Sequence, residues 1–172
     1  MVNIEKIAAI ANQTREEFEA GLITDEEIIA AAIANHQLRL LEAKPRKDEA
    51  SVVVDGRVIA LPINHVSTFP SLACDVASMV LKERISSSGA LKNTEAYIIS
   101  GSLGVSNENW GDDTSYFANP HSFVGIRASI HHDPSIIADI TPDQFPEAAG
   151  ISVYVGPVIK PWKLDDSNVA PW

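Results

Sequence analysis

One cysteine occurs in the chain, Cys74, within FPSLACDVASMVLKERI at residues 69–85. A thiol does chemistry as its thiolate, which is favoured beside unpaired backbone N–H groups at the positive end of a helix. Ser71, following Pro70, reads as an N-cap for a helix from Leu72 to about Ser86, with Cys74 in the first turn. Leu72, Val76, Met79 and Val80 share one face, and Cys74, Ala77, Leu81 and Ile85 the other. A short helix apolar nearly all round is buried. A free cysteine in such a helix usually only packs. To act as a nucleophile, Cys74 needs a base.

Five histidines are present. His36 falls on a helix and His65 in a loop, while His131 and His132 precede Asp133-Pro134 in a turn. His121 differs, because in NPHSFVGIR it opens a strand directly after a polar loop. Such a side chain can be both fixed and accessible. Asp139, in SIIADITPDQF, puts a carboxylate inside an apolar strand, where it needs a partner. A hairpin centred near residue 130 sets His121 opposite Asp139, whereas a turn at His132-Asp133 sets Asp139 opposite Ile126. The bland alternative is a carboxylate that holds the following Thr-Pro-Asp turn. Taken together, Cys74, His121 and Asp139 have the types needed for an activated nucleophile, its general base and the group that fixes the imidazole tautomer.

Those three residues must be positioned by the surrounding elements. Residues 3–43 read as a helical hairpin: Ile4, Ile7, Ala11 and Phe18 keep helical spacing, and Gly21 stops the first helix. Thr24 and Glu27 form a capping box for the second helix, whose apolar face is read as Ile29, Ile33, His36 and Leu40. Residues 43–50 read as a linker, and 51–63 as a β-hairpin around Asp55-Gly56. Strands are expected at 94–100, 122–130, 135–140 and 151–159. This segregation of helices and strands predicts an α+β fold with a mostly antiparallel sheet. It divides into an accessory helical hairpin at 1–45, an α+β core at 50–160 and an irregular tail at 161–172.

With these residues in view, SLACDVASMVLKERI, HSFVGI and IIADITPDQF resemble the transglutaminase-like and papain-like cysteine enzymes over residues 64–145. The resemblance implies a central helix packed on a small antiparallel sheet. It also implies Cys74 as nucleophile, His121 as general base and Asp139 as orienter, acting on an amide through a thioester. Phe123 stands where tryptophan often follows the histidine, and no tryptophan directly precedes the cysteine. Peptidase, amidase, glutamine deamidase and acyl transferase all stay open. An oxyanion hole would use the Cys74 backbone N–H and one further donor. Asn64, His65, Ser67 and Thr68 lie upstream and Gln144 downstream; of these, Asn64 or Gln144 would supply a side-chain amide.

A net charge of −10 argues against nucleic acid or an anionic membrane surface as partner, since both call for a basic face. One cysteine excludes an internal disulfide and a thiolate cluster. Neither a basic-then-apolar leader nor an apolar run of membrane-spanning length occurs, so a soluble protein of a reducing, cytoplasmic compartment is expected. A metal site built from His65, His121, His131 and His132 has poor spacing, and no metal or cofactor is expected. The expected partner is a protein or peptide substrate. The competing reading is a non-enzymatic interaction domain, with the helical hairpin as its binding face and Cys74 as core. Reactivity of the thiol separates the two.

Overall fold

The structure, a computed structural model, describes residues 2–35, 39–40, 50–54, 57–61, 69–70, 73–104, 118–129, 132–159 and 162–163. Helix α1 spans Ile4–Glu19 and opens on Asn3, whose side chain accepts from the Lys6 N–H. It ends as expected at Gly21, which takes a left-handed φ of 65°. There the Leu22 N–H reaches the Glu17 carbonyl and the Gly21 N–H that of Phe18, the paired bonds of a Schellman cap. Helix α2, Asp25–Ala34, opens on Thr24, which accepts from the Glu27 N–H. The Glu27 carboxylate does not reach back to complete the box; it pairs with Arg84 at 2.7 Å.

Two expectations for α2 are corrected. The helix ends at Ala34, where the Asn35 side chain and backbone N–H both bond the Ala31 carbonyl and stop propagation. Its buried residues are Ile28, Ala31 and Ala32, while Ile33 is exposed. The run IIAAAIA is apolar on every side, so its pattern carries little information about which face turns inward. Leu40 lies instead in strand β1, Arg39–Leu40, and His36 lies outside the described residues.

β1 joins β2 (Ala50–Val54) and β3 (Arg57–Leu61) in a three-stranded sheet of order β1-β3-β2. β2 and β3 pair antiparallel with Val54 opposite Arg57, in line with the hairpin expected from the sequence; Asp55-Gly56 lie outside the described residues. Helix α3 runs from Cys74 to Ser87. Its N-cap is Ala73, which makes no side-chain cap, so the expected Ser71 cap is replaced; Ser71 itself lies outside the described residues.

The second sheet has five antiparallel strands in the order β7-β6-β5-β4-β8. They are β4 (Glu95–Gly104), β5 (Ala118–Arg127), β6 (Ile136–Asp139), β7 (Tyr154–Gly156) and β8 (Trp162–Lys163). The alternation of a strand sorts side chains onto two faces. Ala96, Val124, Ile126 and Ala138 meet the helical layer of Ile7, Phe18, Ile28, Val80 and Ile85. Ile99, Phe123 and Ile137 form a second core with Trp162 on the other face. The helical pair set apart at 1–45 therefore shares its core with α3 and the sheet. The chain is α+β, and no helix among the described residues is long and apolar enough to cross a membrane.

Candidate active site

Val124 pairs with Ala138 and Ile126 with Ile136, so the β5–β6 connection centres between the two alternatives weighed from sequence. One step further in this register sets Asp139 against Phe123 rather than against His121 or Ile126. Phe123 and His121 are two residues apart on one strand face, which makes His121 the diagonal neighbour of Asp139. The pair forms across that diagonal, with His121 Nε2 2.7 Å from Asp139 Oδ2. Both side chains are sealed, at 0% and 1% exposure. His121 does not open the strand, as read from sequence, but sits inside β5 opposite Gly101.

Asp139 also plays the part kept as its bland alternative. Its Oδ1 accepts from the Thr141 N–H at 2.9 Å and from the Thr141 hydroxyl at 3.4 Å. One oxygen holds the turn and the other the imidazole, which resolves how an apolar strand tolerates a charge. A further donor comes from the segment read as an irregular tail: Trp162 Nε1 donates to Asp139 Oδ2 at 2.8 Å. Sequence reasoning missed this residue, since a lone tryptophan beyond the last expected strand carries no periodic signal.

Cys74 is the first residue of α3 and is half-buried. The first turns of that helix are fastened next to His121, where Ser78 Oγ donates to the Ser122 carbonyl at 2.8 Å and Ser122 Oγ to the Asp75 carboxylate. The cysteine side chain thereby lies near enough to the imidazole to act on its charge. Burial by itself pulls the His121 pKa down. Hydrogen bonds to Asp139 and Cys74, with the charges of both, outweigh it and raise the pKa from 6.5 to about 9. A carboxylate oxygen accepts here, so Nε2 donates to Asp139, and Nδ1 is the nitrogen whose proton can exchange. Gln144 Nε2 stands 3.2 Å from Nδ1, on the 3₁₀ turn Pro142–Gln144. The Phe123 and Phe145 rings pack around the imidazole, with centroids at 5.7 and 4.9 Å.

Of the amide candidates, Gln144 is thus brought to the site, while Asn64, His65, Ser67 and Thr68 lie outside the described residues. His132 is exposed and bonds Ser129 Oγ at 2.7 Å; His131 also lies outside the described residues. No group of three or more His, Cys, Asp or Glu side chains among the described residues is arranged to hold a metal ion. Two hollows in the helical layer, flanked by Thr14 and Arg84 and by Ala31 and Val80, share no residue with the site.

Fold and site together define an α+β domain in which a buried imidazole is bonded to a buried carboxylate, with a half-buried thiol nearby at the start of a helix. No family model, curated protein or solved structure matches this chain.

Proposed function

We propose that the protein is a cysteine-dependent hydrolase or acyl transferase acting on an amide bond, with a core of the papain-like or transglutaminase-like kind. The observation that carries this reading is His121, buried and bonded to Asp139, with Cys74 at the start of α3 near enough to act on its charge. A cysteine that only packs has no need of a buried, carboxylate-bound imidazole beside it. In the reaction, with the Cys74 proton held on His121 Nδ1, the sulfur forms a bond to the substrate carbonyl carbon. The carbonyl electrons move to oxygen, for which the Cys74 backbone N–H and the Gln144 amide are the candidate donors. As the tetrahedral centre collapses, the C–N bond breaks and the Nδ1 proton goes to the leaving nitrogen. Water or an acceptor amine then attacks the thioester carbon and gives a proton to Nδ1; the C–S bond breaks, and that proton returns to the Cys74 sulfur. Asp139 keeps its charge throughout and holds the tautomer. The substrate class is an amide of a protein side chain or a peptide.

The test uses the fact that this is the sole thiol. Iodoacetamide should alkylate Cys74 at pH 6 faster than a free model thiol, and His121→Asn should remove the excess rate. Labelling that appears only after unfolding would instead support the binding-domain reading, with Cys74 as core.

A further inference from the structure

We infer that Trp162 is a positioning residue, whose indole N–H shares Asp139 Oδ2 with His121 and so sets how strongly that carboxylate holds the imidazole proton. The inference rests on the acyl-transfer reading for its catalytic meaning, though its physical content does not. Asp139 receives four donors: Thr141 N–H and hydroxyl at Oδ1, His121 Nε2 and Trp162 Nε1 at Oδ2. Trp162 is the one of these contributed by the C-terminal segment.

Its placement leaves the indole little freedom. β8 pairs with β4 through Trp162 opposite Leu103, and the Trp162 backbone N–H bonds the Ile159 carbonyl at 3.0 Å. The ring stacks on Tyr154 with centroids 4.2 Å apart, and the residue is 3% exposed. Tyr154 is itself paired with Asp139 across β6 and β7. The carboxylate is therefore held in its plane from the turn, from β5 and from β8 at once.

Two donors on one oxygen divide its electron density between them. In a buried site the second donor weakens the oxygen's pull on the first. Among the described residues, the titratable groups that bear on His121 are Asp139 from β6 and Cys74 from α3, and uncharged Gln144, Phe123 and Phe145 also lie against it. Taking away the indole N–H leaves Asp139 a stronger partner for the imidazolium. His121 should then hold its proton more tightly, with less guidance for the ring.

The experiment is an NMR titration of the His121 imidazole in the full chain, in the unaltered protein and in Trp162→Phe. The substitution keeps an aromatic ring beside Tyr154 and removes the N–H. A rise of the His121 pKa by roughly half a unit to one unit is expected. Should the variant fail to fold, the unaltered protein decides, because a Trp162 indole N–H bonded to Oδ2 must shift in step with the His121 titration. An indole N–H indifferent to that titration, or an unmoved His121 pKa in a folded Trp162→Phe protein, overturns the inference. Cys74 alkylation is followed on the same samples. An ordinary thiol in the unaltered protein overturns the acyl-transfer reading; an activated thiol beside an unmoved His121 overturns the Trp162 inference alone.

Discussion

At the residue scale, Asp139 shows why a single buried carboxylate is hard to replace. An asparagine there has one acceptor and one donor end. Turned one way, its NH₂ faces the Thr141 N–H; turned the other, it faces His121 Nε2 and Trp162 Nε1. Either way two donors confront each other in a dry site. Asp139→Asn should therefore lower turnover by on the order of 10²–10⁴-fold and cost about 1–3 kcal/mol of stability, measured by steady-state kinetics and urea unfolding. Cys74→Ala should remove turnover, by on the order of 10³-fold or more, with little loss of stability at a half-buried helix start. His121 makes the protein sensitive to alkali. The folded chain binds the imidazolium more tightly than the unfolded chain does, since the pKa rises from 6.5 to about 9. That contribution is complete below the unfolded value and fades as pH climbs through about 9. The wild type should lose up to a few kcal/mol across this window relative to His121→Gln, as read by unfolding at several pH values. The three residues themselves were legible because each breaks a local expectation: one thiol, one histidine in a strand, one charge in an apolar run. Their contact was harder to read, because the diagonal pairing depends on a connection whose length the strand pattern does not fix.

At the element scale, the turn after β6 is the piece that binds the site to the helical layer. Arg15 of α1 donates to both Asp143 oxygens at 2.8 Å, to the Ile140 carbonyl at 2.7 Å and to Glu19 at 2.6 Å. Its guanidinium also lies over the Phe69 ring at 4.7 Å, and Phe18 stacks on that ring at 5.0 Å. Phe69 precedes Cys74 in the chain and Asp143 adjoins Gln144, so one arginine joins a residue upstream of the thiol to the turn that carries Gln144. Arg15→Met should cost on the order of 3–5 kcal/mol, because it strands a carboxylate and a buried carbonyl; thermal and urea unfolding measure it. Sequence gave no sign of this brace, since an arginine at position 15 of a charged helix reads as solvated surface. The β8 strand was equally hidden: two residues cannot display a period of two. The larger elements were visible because they run longer, with α1, α3, β4 and β5 spanning 10 to 16 residues each.

At the scale of the whole molecule, the N-terminal helical pair and the sheet depend on one another. Ile7 and Ala11 are fully sealed, Ile28 nearly so, and Phe18 is 3% exposed, all within the core that α3 shares with β4, β5 and β6. Arg84 of α3 ties both helices from below, pairing with Glu17 of α1 and Glu27 of α2 at 2.5 and 2.7 Å. Removing residues 1–45 would take away the helices that pack on α3, β6 and β7, and with them Ile7, Phe18 and Ile28 from the shared core. Each large apolar side chain returned to water costs roughly 1.5–3 kcal/mol, and a domain's whole stability is only about 5–15 kcal/mol. A chain starting at residue 50 should therefore not reach the native state, although the residues proposed for chemistry all lie within it. Circular dichroism and the dispersion of amide resonances check this directly. A fragment that unfolds cooperatively and alkylates at Cys74 as fast as the full chain would show that the helices are an addition to a self-sufficient core. A collapsed or aggregated fragment, rescued by supplying residues 1–45 as a separate peptide, is the expected result, because the missing surface can be restored without a covalent link.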